Sequence, residues 1–280
     1  MLSALLIAAL VCGSVPGHAA YHQEDIFIDA GDHQIPATLT LPLQGNARYP
    51  AVIMLHGNGS DRHEGGGGYD LLAPRFAEHG IASLRFDYIG NGDSQTDYLH
   101  FTHERGVEDA LEAYAYLSAL DGVDKERIGI MGWSQGGGIS LMTASREPGI
   151  KSVLTWAGVN YDGTIDEAAY EVAKKEGFYL SEYTWRPPLK LSPAYFESLK
   201  GFIIADAVPQ IRAPILAING QLDDVVPPES AVIIHSLSGH EQSGLLLLDG
   251  VDHMFNIHSG DMSAFYQLMD TTLDWFLGTL

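Results

Sequence analysis

The sequence predicts an α/β protein built on a doubly wound, mostly parallel sheet with a helical cap insertion. Three observations carry that prediction. Apolar runs such as Ala51-Val52-Ile53-Met54-Leu55 are continuous rather than alternating, as in strands covered by helices on both faces. These runs alternate with amphipathic segments of helical length along most of the chain. One of them, Ile128-Gly129-Ile130-Met131, leads into Gly132-Trp133-Ser134-Gln135-Gly136. That pentapeptide fits a sharp strand-to-helix turn from which a serine hydroxyl projects above a sheet. Gly132 and Gly136 lack the Cβ atoms that would collide where strand and helix approach so closely.

The elements follow in order. Leu2 to Val11 is a short apolar run followed by small and turn-forming residues as far as Ala20. It predicts a secretory signal peptide over residues 1–20, since a membrane span needs roughly 20 apolar residues. Its removal takes the only cysteine, Cys12, and leaves a domain with no disulfide or thiol chemistry. Export without disulfides predicts a bacterial periplasmic or secreted protein, with no stable membrane insertion after cleavage.

The domain then spans 21–280. Ile26-Phe27-Ile28 and Ile35 to Leu41 alternate as two strands around a turn at Gly31-Asp32. Ala51 to Leu55 is the third strand. Tyr69 to His79 reads as a helix closed by Gly80, and Ile81 to Phe86 as a strand. Val107, Ala110, Leu111, Tyr114 and Leu117 keep helical spacing. Arg127 to Met131 is the strand entering the serine turn, Gly137 to Ser145 the helix leaving it, and Ser152 to Trp156 the next strand.

Alternation pauses between about Val159 and Ile211, a gap too long for a simple loop. It holds Tyr161, Tyr170, Phe178, Tyr179, Tyr183, Trp185, Tyr195 and Phe196. Residues 158–211 are therefore read as a helical cap over the carboxyl ends of the strands, where doubly wound sheets bind ligands. The aromatic content serves the cap's own packing first. Strand Pro214 to Ile218, helix Glu229 to Leu237 and strand Leu245 to Leu248 resume the pattern. A last helix turns Phe265, Leu268, Met269 and Phe276 inward.

Composition narrows the function. With 15 Lys and Arg against 36 Asp and Glu, the net charge of −21 opposes nucleic acid and anionic membranes as partners. His100 and His103 lack the further ligands of a metal site. The run Gly65 to Gly68 is not followed by the Lys-Ser/Thr of a phosphate loop. The serine turn is more informative. A serine hydroxyl is a poor nucleophile near neutral pH and needs an adjacent base, itself held by a third group. An acid follows one strand, at Asp223 or Asp224, and His253 follows the next. Asp252 is too close along the chain to His253 to hold its ring.

On these residues the chain closely resembles the α/β-hydrolases of the feruloyl (cinnamoyl) esterase-like group, with their dienelactone-hydrolase-like and prolyl-oligopeptidase-like relatives. The matching pieces are His56-Gly57-Asn58-Gly59, Arg85 to Ser94, the serine turn, Gly220 to Pro227 and Asp252-His253-Met254-Phe255. They stand in the family's order across almost the whole domain.

The resemblance implies Ser134 as nucleophile, His253 as general base and then acid, and Asp223, three residues after Gly220, as the group orienting His253. It implies an oxyanion hole from the backbone N–H groups of Asn58 and Gln135, with Gly132 and Gly136 shaping the elbow. His56 shapes the oxyanion turn, and Asp87, Asp93 and Ser94 are structural. The implied activity is hydrolysis of a small-molecule or oligosaccharide-linked carboxylic ester, feruloyl esters among them, without metal or organic cofactor. A peptidase or amidase acting on short peptides, and a non-catalytic binding protein on the same fold, are the other readings.

Overall fold

The computed structural model describes residues 21–43, 48–183 and 186–280. The expected signal peptide, with Cys12, lies outside the described residues, as does Trp185. Ten strands are present among them: β1 (Tyr21–Asp29), β2 (Gln34–Pro42), β3 (Tyr49–Leu55), β4 (Ala82–Phe86), β5 (Val123–Trp133), β6 (Ile150–Trp156), β7 (Tyr179–Ser181), β8 (Leu189–Leu191), β9 (Ile215–Gly220) and β10 (Gly244–Leu248). The helices are α1 (Gly68–Glu78), α2 (His103–Ala119), α3 (Gln135–Arg146), α4 (Glu167–Glu176), α5 (Pro193–Lys200), α6 (Ile204–Ala207), α7 (Glu229–Leu237) and α8 (Ser263–Thr279).

Eight strands form one sheet in the order β1-β2-β4-β3-β5-β6-β9-β10. The β1–β2 hairpin and the β2–β4 pair are antiparallel, and every other pairing in that sheet is parallel. The continuous apolar runs have the predicted cause. In β3, Val52 and Met54 face a core shared with Phe76 of α1 and Phe276 of α8. Ala51, Ile53 and Leu55 face the opposite core, shared with Val107 of α2 and Ile139 of α3. Each strand of this kind is covered twice, so no polar face is left to alternate.

Helix starts follow local chemistry. Thr102 caps α2 by accepting the Arg105 N–H at 3.1 Å, so that helix begins before the first residue of its apolar stripe. Asp166 caps α4 by accepting the Ala169 N–H at 3.0 Å, and α4 ends at Gly177 with φ 88°.

The insertion carries α4, α5 and α6, and it also contains the antiparallel pair β7–β8, with Leu180 opposite Lys190. It is thus mixed rather than wholly helical. Its seam with the main sheet is aromatic. His103 of α2 lies within 5.3 Å, centroid to centroid, of Tyr161, Tyr195 and Phe202. Burial lowers the His103 pKa to about 3, so the ring is neutral, and its Nε2 pairs with the Tyr161 hydroxyl at 3.2 Å.

A histidine held between two carboxylates secures the first hairpin. His33 Nε2 lies 3.0 Å from the buried Asp109 of α2, at ion-pair distance though out of line for a hydrogen bond, and Nδ1 lies 2.8 Å from Asp32. Asp109, then Asp32, raises the His33 pKa against the opposing effect of burial. A raised folded-state pKa stabilises the fold below the unfolded value of about 6.5 and loses that effect as pH rises through the folded value. Urea unfolding from pH 6 to pH 9 should therefore show wild type losing stability relative to His33→Gln. Parallel pH curves for the two proteins would exclude a charged His33 in the fold.

Candidate active site

Ser134 stands at the junction of β5 and α3 with φ 55° and ψ −119°, an unfavourable region for a residue with a side chain. The surrounding backbone holds it there. Its N–H donates to the Trp156 carbonyl of β6 at 2.8 Å, and its carbonyl accepts from Gly137 at 3.0 Å and Val159 at 3.1 Å. The glycines are required on contact grounds. A Cβ on Gly132 would lie 2.0 Å from the Gly136 carbonyl oxygen, and one on Gly136 would lie 2.3 Å from that of Leu55. The turn places Ser134 in front of the amino-terminal end of α3, where the helix dipole is positive.

The acid and the histidine come from the loops after β9 and β10. Asp223 has a fully buried side chain and lies 2.8 Å from His253 Nδ1 through Oδ2. Its Oδ1 accepts the backbone N–H groups of Val225 at 2.9 Å and Val226 at 2.8 Å. Asn219 Nδ2 donates to Oδ2 at 3.1 Å and to the Val226 carbonyl at 3.0 Å. A carboxylate so placed fixes the proton on Nδ1 and leaves Nε2 as the basic nitrogen. Asp224 is exposed and makes no such bond among the described residues, so Asp223 is the acid joined to the ring. Asp252 is exposed and accepts the Asn256 N–H at 2.9 Å, which closes its own loop.

Ser134 and His253 line one cavity of about 1160 Å³, together with Asn58 and Gln135. Among the described residues no hydrogen bond joins Ser134 Oγ to the imidazole, whose side-chain bond is the one to Asp223. Trp133, the buried neighbour of the serine, donates its indole N–H to the His253 carbonyl at 3.3 Å.

The turn after β3 supplies the other wall. His56 is fully buried, and burial lowers its pKa. Its Nδ1 donates to the Gly57 carbonyl at 2.8 Å, and its Nε2 accepts the Tyr88 N–H at 3.3 Å. With both ring nitrogens engaged, it is a neutral structural group. Because C=O and N–H point opposite ways in a trans peptide, holding the Gly57 carbonyl aims the Asn58 N–H away from His56. Asp87 and Asp93 bind Arg62 behind this turn, the latter at 2.7 Å. Gly90 donates to Ser94 Oγ at 3.0 Å, so this segment too is structural. No group of metal-binding side chains occurs among the described residues, and His103 is spent on the aromatic seam.

Residues 70–280, most of the chain, match the Prolyl oligopeptidase family. The chain belongs to that family. The quorum-quenching protein AidA of Acinetobacter baumannii is 33% identical over 132 residues, covering 47% of this chain and 42% of that protein. The esterase EstD of Thermotoga maritima is 24% identical over 260 residues, covering 84% of this chain and 60% of that protein. The match thus spans less than two thirds of either relative. The structure of Est1E from Butyrivibrio proteoclasticus with ferulic acid superposes with a TM-score of 0.74 at 21% identity, covering 91% of this chain and 98% of that one. At that identity the likeness concerns the fold, which is the α/β-hydrolase fold.

Sequence reasoning missed two groups beside these family residues. Asn219, which steadies Asp223, immediately precedes the Gly220 to Pro227 segment. Glu64 lies in the same cavity, with a backbone φ of 41°. Its Oε2 accepts the Gly57 N–H, and its Oε1 accepts the Gly65 N–H at 2.9 Å. Burial raises its pKa to about 7, against those backbone bonds. The position of Glu64 seven residues beyond Gly57 gives no periodic signal.

A raised carboxylate pKa weakens the fold as pH climbs from the unfolded value of about 4.5 through the folded value of about 7. Unfolding free energy should fall across that interval in wild type and stay flatter in Glu64→Gln. The difference should approach roughly 3 kcal/mol, given about 1.4 kcal/mol for each pKa unit. An identical pH slope in the variant would count against a Glu64 proton held at neutral pH.

Proposed function

We propose that this protein is a serine hydrolase that cleaves carboxylic esters through an acyl-enzyme. The observation that carries the reading is the 2.8 Å Asp223–His253 contact beside a cavity that also exposes the strained Ser134. Ser134 Oγ attacks the ester carbonyl while its proton passes to His253 Nε2. Asp223 keeps the other ring nitrogen protonated and stabilises the imidazolium. The N–H groups of Asn58 and Gln135 receive the tetrahedral oxyanion, a donor of this kind being worth roughly 2.7–4 kcal/mol. Collapse of the intermediate breaks the ester bond, and the alcohol departs with the proton from His253. Water, deprotonated by His253, then attacks the acyl group and restores Ser134.

The cavity wall supports an ester with a sizeable apolar part. Trp133, Val159, Tyr161, Tyr195 and Ile233 line it, and its volume suits a ligand larger than an acetyl group. The esterase name of the Thermotoga relative and the ferulic acid held by Est1E point the same way. A second reading, cleavage of short peptides or amides, is favoured by the family match itself. Export to the periplasm or beyond belongs to the proposal on the composition of residues 1–20.

Ser134→Ala should lower turnover of p-nitrophenyl butyrate by roughly 10⁴-fold or more while retaining the wild-type circular dichroism spectrum. Near-wild-type turnover in that variant would rule Ser134 out as nucleophile. Aminoacyl p-nitroanilides assayed beside the ester separate the two readings, and faster anilide cleavage would favour the peptidase. Asp223→Asn should lower kcat by roughly 10⁴-fold through the wrong imidazole tautomer, whereas Asp224→Asn should keep kcat near wild type. The opposite ranking would reassign the acid.

A further inference from the structure

The two peptides that meet at the Asn58 Cα are each held, the one carrying the Asn58 N–H from the turn after β3 and the next one from the cap. Upstream, His56 fixes the Gly57 carbonyl at 2.8 Å. Downstream, the Asn58 carbonyl accepts Arg186 Nη1 at 2.6 Å, from the segment of the cap between β7 and β8. The Asn58 side chain is held as well. Its Nδ2 donates to the Tyr183 hydroxyl at 3.2 Å, and its Oδ1 accepts from the Tyr98 hydroxyl at 3.0 Å. The guanidinium carbon of Arg186 lies 5.2 Å from the centre of the Tyr183 ring, so the two cap residues brace one another.

Gly59 makes room for this arrangement. A Cβ at that position, where φ is 57°, would lie 1.7 Å from Arg186 Nη1. The charge-assisted bond to a backbone carbonyl is short and directional, which suits it to orienting a peptide.

We propose that Arg186 and Tyr183 of the cap are positioning residues for the oxyanion hole, holding the Asn58 N–H toward the carbonyl oxygen of a substrate bound at Ser134. The proposal rests on the serine-hydrolase reading for the role of Asn58, and on the hydrogen bonds above for its orientation. The cap thereby acts on the rate of the chemical step as well as on which substrate enters. Because the carbonyl oxygen needs its donors most in the transition state, a loosened Asn58 lowers kcat more than it raises KM.

The test uses the intact chain with Arg186→Met, Arg186→Lys and Tyr183→Phe. For p-nitrophenyl butyrate, Arg186→Met should lower kcat by about 10- to 100-fold with KM within about threefold of wild type. Arg186→Lys should recover part of that loss, and Tyr183→Phe should lower kcat by a smaller factor. The backbone order parameter of the Asn58 N–H, measured by ¹⁵N relaxation, should drop from about 0.85 toward 0.6 in Arg186→Met. A raised KM with unchanged kcat would make Arg186 a substrate contact and overturn the proposal. An unchanged order parameter in Arg186→Met would overturn it too, whatever the kinetics. If wild type cleaves no ester or anilide, the functional reading fails, and the order parameter still decides whether the cap holds Asn58.

Discussion

Everything at the site depends on three backbone segments passing within van der Waals contact at Gly136. The first turn of α3 lies against the end of β3 so closely that a single methyl group there would overlap the Leu55 and His56 carbonyl oxygens, at 2.3 and 2.5 Å. On the other side, Gly132 of β5 touches the same turn. This contact puts Ser134, the Gln135 N–H and the turn after β3 at one point, although they come from separate parts of the chain. It also forces Ser134 into its positive-φ conformation. The cost of that conformation, on the order of 1–3 kcal/mol, is offset by the hydrogen bonds to Trp156, Gly137 and Val159.

Charge is arranged around this point with few free ends. Asp223 has both oxygens engaged, by two backbone N–H groups, an asparagine amide and the imidazole. Asp87, fully buried, accepts from the backbone N–H groups of Arg62 at 2.7 Å and Asp93 at 2.9 Å as well as from the Arg62 guanidinium. Buried carboxylates satisfied in this way are positioned by geometry, and they tolerate loss of a partner poorly. The surplus of acidic groups in the composition therefore has two destinations, the solvated surface and a small set of anchored interior carboxylates.

Much of this was legible in the residues. The doubly covered strands announce themselves because neither face can be polar, as the split of Ala51 to Leu55 between two cores demonstrates. The serine turn was legible because glycine is obligatory at two fixed offsets from Ser134. Asp223 and Asp224 are neighbours of identical chemistry; the family spacing from Gly220 pointed to Asp223, and the path of the loop after β9 brings that carboxylate to His253. Other features carry no local signal. β7 and β8 are three residues each, too short for an alternating pattern, so the cap read as helical. Glu64 and Arg186 act through backbone atoms of the turn after β3. Arg186 reaches it across 128 positions of sequence, where no periodicity can speak.

The amide of Asn58 bridges a tyrosine of the main domain and a tyrosine of the cap. Caps are the natural parts to exchange when a new specificity is wanted from an old scaffold. In this molecule such an exchange is not modular. A transplanted cap would bring its own partners, or none, to the 57–59 turn, and the graft would alter the turn facing Ser134 together with the cavity wall. Successful chimeras would have to carry the tyrosine, the arginine and Gly59 as one inherited unit.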